Sequence, residues 1–78
     1  MRKEDPVWKA KKDFIKRLLD QSGVNPAEQG AYFIFAYNVY RGKQYQLPAK
    51  KSLRDQIEKW VREGLRRDLL EQIARIVG

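Results

Sequence analysis

The chain has 78 residues, enough for one domain around a small core, since a chain of this size buries only about 60–65% of the surface its unfolded form exposes. It contains no cysteine and no histidine, which excludes disulfides, thiolate and imidazole catalysis, and the usual zinc ligand sets. A formal net charge of +7 asks for an anionic partner: nucleic acid, an anionic membrane surface or an acidic protein.

Met1 is followed by Arg2-Lys3-Glu4-Asp5-Pro6 with no apolar stretch of the kind a secretory signal carries, so a cytoplasmic, soluble protein is expected. Asp5-Pro6 reads as a helix start, with the carboxylate accepting from orphan amides and proline at the first helical position. Val7, Trp8, Phe14, Ile15, Leu18 and Leu19 then fall on one broad face at helical spacing. Lys11 lies inside that stripe and must snorkel or mark its edge. The opposite face carries Lys9, Asp13, Lys16, Arg17 and Asp20; Asp13 to Arg17 is the favourable acid-then-base order. This face could hold phosphates, but its charges largely neutralise one another. Gly23 supplies the stop.

Val24-Asn25-Pro26-Ala27-Glu28 repeats the device, with Asn25 as cap, Pro26 first in the helix and Glu28 completing a capping-box-like pair. It leads into Ala31–Tyr40, AYFIFAYNVY, the chain's one long apolar run. Such a run is a buried centre or an exposed sticky surface, and burial is favoured. At ten residues it falls well short of the roughly twenty needed to span a bilayer. Periodicity does not separate helix from strand in a run apolar on all sides. The caps favour a helix over 26–41, ending near Gly42. The rival is a β-hairpin at 32–47, with Arg41-Gly42-Lys43 turning and Gln44-Tyr45-Gln46-Leu47 alternating.

Gly42 and Pro48 punctuate a loop over 42–51. Ser52 with Asp55 offers a further capping-box-like start, and Leu53, Ile57, Trp60 and Val61 mark an apolar stripe. Leu65, Leu69, Leu70, Ile73, Ile76 and Val77 mark another, centred roughly 160° from the first. A break at Gly64 reconciles the two. The expected fold is a compact all-α domain spanning 1–78, with four helices at 6–22, 26–41, 49–63 and 66–77 and the aromatic second helix central. An α+β domain with the hairpin is the alternative.

Catalysis lacks its usual parts. There are only two serines and no glycine-rich phosphate loop, and the carboxylates mostly sit at helical spacing from a base, the pattern of solvated ion pairs. A non-enzymatic protein without cofactor or metal is expected. The sharper signal is the interval between Glu28 and Asp55, which holds no acid while Arg41, Lys43, Lys50, Lys51 and Arg54 contribute five positive charges. Tyr40 and Tyr45 lie among them. Bases for phosphates beside aromatic faces for nucleobases describe a nucleic-acid contact surface; the plainer reading packs Tyr40 in the core and leaves the loop merely solvated. Arg62, Arg66 and Arg67 surround the Gly64 turn and could extend the surface, offset in part by Glu63 and Asp68. A helix-turn-helix reader over the last two helices is disfavoured, because Trp60 stands where close crossing wants a small residue.

Phe35-Ala36-Tyr37-Asn38 through Gly42, then Leu53, Ile57, Trp60, Gly64 and Leu69-Leu70, resembles the DnaD-like helical domains of replication-initiation and phage replisome proteins. These have an aromatic-rich helix, a glycine-containing loop, an apolar-x-x-Trp helix, and a glycine followed by a Leu/Ile pair. The resemblance covers about 36 residues and implies a helical fold in a replication or mobile-element setting. In that family a further helix carries an aromatic-rich DNA-binding motif; this chain shows none, so no functional residue carries over.

The function expected is a small basic nucleic-acid-binding protein, with DNA favoured over RNA, acting as an accessory or regulatory factor of phage, plasmid or archaeal type. The alternative is an interaction module that binds an acidic protein or homodimerises through its last helix. A membrane-surface role ranks below both, because the bases and large apolar residues do not share one amphipathic face.

Overall fold

A computed structural model describes residues 5–44 and 53–78. Among these the fold is all-α: α1 Pro6–Gln21, α2 Pro26–Gln44, α3 Leu53–Arg62 and α4 Arg67–Val77. No strand occurs among the described residues, and residues 32–44, which the hairpin alternative made extended, are helical. The helix runs on past Gly42 to Gln44, further than expected. The expected cap at Ser52 lies outside the described residues.

Local chemistry sets most of the helix ends. Asp5 caps α1, its Oδ1 accepting from the amides of Val7 at 2.9 Å and Trp8 at 3.2 Å, with Pro6 first in the helix. Asn25 Oδ1 accepts from the Ala27 amide at 2.9 Å to start α2, while Glu28 stays exposed and does not return the bond expected of a capping box. Helices α1 and α3 end in the same motif. Val24 N–H donates to Leu19 O and Gly23 N–H to Asp20 O; Leu65 N–H donates to Trp60 O and Gly64 N–H to Val61 O. Both glycines adopt the left-handed backbone this closure requires, with φ of +77° at Gly23 and +103° at Gly64.

Helices α2 and α4 form the centre together. Each packs against all three other helices, whereas α1 and α3 do not pack together among the described residues. Phe35 and Ala36 of α2 meet Leu69, Leu70 and Ile73 of α4 in a fully buried core completed by Ile15 and Leu19 of α1, with Ile57 of α3 at its edge. The aromatic second helix is central as expected, and α4 shares that position. The wide apolar arc of α4 follows from this position: Leu69, Leu70, Ile73, Ala74 and Val77 are all buried within the single chain. Trp60 is half-buried against the same core, with the Lys59 ammonium 5.0 Å from its ring centroid.

Two expectations for apolar faces are corrected. On α1, Phe14 is 59% exposed although it falls within the helix's apolar stripe. The Ala31–Tyr40 run is neither wholly buried nor wholly exposed. Tyr32, Phe35, Ala36 and Tyr40 are buried, whereas Ile34 is 56% and Tyr37 42% exposed. A helix has a circumference, and with partners on one side only, a run apolar all round leaves part of itself facing water.

Polar contacts between distant segments close the bundle. Lys11 snorkels to α4, where its ammonium donates to Ile76 O at 2.8 Å, meeting the orphan carbonyls and negative dipole end of that helix. Gln29, buried on the inner face of α2, donates through its amide to Asp20 Oδ1 at 2.8 Å and Val24 O at 3.1 Å. Among the described residues no helix is long and apolar enough to cross a membrane.

Candidate nucleic-acid interface

The acid-free interval of the sequence runs from the first turn of α2 to the first turn of α3, and its bases begin at the outer end of α2. Arg41 is exposed on the last turns of α2, Arg54 is exposed on the first turn of α3, and Lys43 is placed by its backbone within α2. Tyr45, Lys50 and Lys51 lie outside the described residues. Arg41 and Arg54 enter no salt bridge among the described residues. Arg54 also stands near a helix N-terminus, where the dipole disfavours a cation and favours an anion.

Tyr40 belongs to the core and is not a free stacking face. Its hydroxyl donates to Asp5 Oδ2 at 2.7 Å, and its ring stacks on Trp8 with centroids 5.4 Å apart. Trp8 in turn meets Tyr37 edge-on, at 5.1 Å and 62°. The start of α1 is therefore bound to the outer half of α2 by an aromatic cluster and one charged cap. Tyr40 thus packs in the core, as its place in the apolar run allows.

Arg66 and Arg67, the expected extension of the surface, spend their donors inside the protein. The Arg66 backbone amide donates to the Tyr32 hydroxyl at 2.9 Å, and its guanidinium donates to Ser22 O at 3.0 Å and to the Asp68 carboxylate at 2.9 and 3.3 Å. It thereby joins the α1–α2 turn to the start of α4. Arg67 forms a two-pronged pair with Glu58 across the α3–α4 corner, at 2.6 and 3.1 Å. The structure does not group these two with Arg41. Arg67 does share with Arg54 a shallow groove of about 410 Å³ between α3 and α4, but Glu58 and Glu71 line it as well. Its charge is mixed, which suits an ion-pair lattice better than a phosphate cradle.

The carboxylates respond accordingly. The Arg67 guanidinium, with smaller help from Arg54 and Arg62, holds Glu58 below its ordinary range. Arg66 does the same for Asp68, and Lys16 with Gln29 for Asp20. Asp5 is lowered chiefly by the Tyr40 hydroxyl, then by the amides it caps. These groups are held ionised, whereas a general acid needs its proton retained. Among the described residues Asp13 and Arg17, at favourable spacing, form no pair, whereas Lys16 and Asp20 on α1 pair at 2.8 Å. Among the described residues no three acids cluster as metal ligands would.

A lowered folded-state pKa means stability that is present above the unfolded value and lost as pH falls through the folded one. With the affected aspartates starting from an ordinary value of 3.8, the thermal midpoint should hold near neutrality and decline below about pH 4. Asp5→Asn keeps a capping oxygen but removes the charge, so this variant should start lower at neutral pH and lose less in acid. Melting curves between neutrality and acid check both.

Sequence reasoning missed Gln29, the Tyr32 hydroxyl and the outward face of α2. Gln29 and Tyr32 serve contacts that no local pattern announces. The face had a faint signal: Asn38, the lone polar residue of the run, marks the exposed side.

Comparison with protein-family models, with curated proteins and with solved structures returned no match. The DnaD-like resemblance therefore rests on its quoted residues alone.

Proposed function

We propose that this chain is a small, non-enzymatic nucleic-acid-binding protein of the cytoplasm, with DNA as its partner, acting in replication, transcription or a mobile element as an accessory factor. Its phosphate contacts come from Arg41, Lys43, Lys50, Lys51 and Arg54, with Tyr45 among them; Arg66 and Arg67 are left to hold the fold. One observation carries the reading. Within the acid-free interval from Gln29 to Arg54, Arg41 is exposed and enters no salt bridge among the described residues, whereas Lys16, Arg66 and Arg67 are each drawn into a pair with an acid. Uncompensated surface bases gain by displacing the counterions condensed on a phosphate backbone. The preference for DNA leans on the replication setting of the resemblance. Titrating labelled single- and double-stranded DNA and RNA at low salt tests the reading; binding to DNA supports it.

A second reading has its own observation. Phe14, Leu18 and Ile76 surround a shallow hollow of about 290 Å³ with Gln72 and Arg75, and an exposed phenylalanine beside an arginine suits a protein partner or a second copy. That reading expects no nucleic-acid binding at any salt, and self-association in sedimentation if the partner is a second copy.

A further inference from the structure

The outward face of α2 joins features the phosphate reading does not use. Ile34, Tyr37, Asn38 and Arg41 occupy positions i, i+3, i+4 and i+7 and fall within about 100° of the helix circumference. All four are exposed, Ile34 and Tyr37 unusually so for their size. The Tyr37 ring is held on one side by Trp8, itself stacked on the buried Tyr40, so its position is braced by two further rings. The Asn38 and Arg41 side chains form no hydrogen bond or ion pair within the described residues. Asp5, the acid that Tyr40 brings to this end of α2, already accepts from two backbone amides and the Tyr40 hydroxyl.

We infer that this face is a stacking platform for single-stranded DNA, with a nucleobase on Tyr37, the neighbouring phosphate on Arg41 and the Asn38 amide within reach of a base edge. The inference rests on the nucleic-acid reading and adds to its phosphate contacts a site for strands whose bases are free to leave the stack. An aromatic side chain offers every base a π-face, whereas paired bases in a duplex cannot reach it. Ile34 extends the apolar floor by one turn. A braced ring loses little freedom when a base covers it, which is the physical advantage of Trp8 behind it.

The test compares a thymidine oligonucleotide with a duplex of equal length, using the intact chain and its Tyr37→Leu and Tyr37→Phe variants. Tyr37→Leu should weaken the single strand between about 5-fold and 100-fold and change duplex affinity less than about twofold. Tyr37→Phe should bind like the parent. Photocrosslinking of the unaltered chain to a bromodeoxyuridine strand, mapped by mass spectrometry, gives a second readout independent of any variant's folding; the adduct should fall within 34–41. Unchanged single-strand affinity in Tyr37→Leu, equal losses for strand and duplex, or adducts confined to α3 or α4 would overturn the platform while the phosphate reading stands. If the parent chain binds no nucleic acid at low salt, both readings fall.

Discussion

Phe35→Ala should come close to unfolding the domain. Phe35 is fully buried where α2 meets α4 and the inner face of α1, so truncation removes the ring and leaves a cavity its neighbours fill only in part. The usual cost of such a change is about 3–5 kcal/mol. Domains of this kind possess roughly 5–15 kcal/mol in all, and one of 78 residues belongs towards the lower end. Chemical denaturation should show a much lower midpoint with little change in slope. Ile34→Ala, one position earlier and 56% exposed, should shift the midpoint hardly at all. The contrast tests the orientation of α2 about its axis. If the two variants lost stability equally, the inner and outer faces assigned here would be wrong.

The second large effect is functional. Lys50→Ala with Lys51→Ala removes two of the five bases in the acid-free interval. Each neutralised phosphate contributes roughly 0.9 to the slope of log K against log salt for duplex DNA, so the double variant should flatten that slope by up to about two units. Affinity should fall for all sequences alike, because phosphate contacts carry no sequence information. Stability should change by less than about 0.5 kcal/mol if both lysines are solvated, as charged residues outside a core usually are. A double variant that binds with unchanged slope would move the contact to α1, whose Lys9 and Arg17 are also exposed without salt bridges.

Four helix ends were legible because their causes are local, while the end of α2 beyond Gly42 was not. Asp5-Pro6, Gly23, Asn25-Pro26 and Gly64 act through their own or adjacent backbone, and each stands where the structure starts or stops a helix. The phase of α2 was not legible. A run apolar on every side has no preferred face, so which of its rings are buried depends on where α1 and α4 lie. Phe14 misled for the opposite reason: it keeps helical spacing with buried residues, yet α4 does not reach far enough round α1 to cover it. The roles of Arg66 and Arg67 were hidden by distance. Arg66 finds Ser22 across 44 residues and Tyr32 across 34, and Arg67 finds Glu58 only because the Gly64 turn folds α4 back along α3. Of the candidate interface, the charge pattern could be read directly. The exposed Tyr37 beside Arg41 required the fold.

The most direct test of the account is the affinity of the unaltered chain for duplex DNA measured across a series of salt concentrations. Engagement of Arg41, Lys43, Lys50, Lys51 and Arg54 together predicts a straight line of log K against log salt with a slope of about −4.5. No binding at low ionic strength, or binding that does not weaken as salt rises, would contradict it.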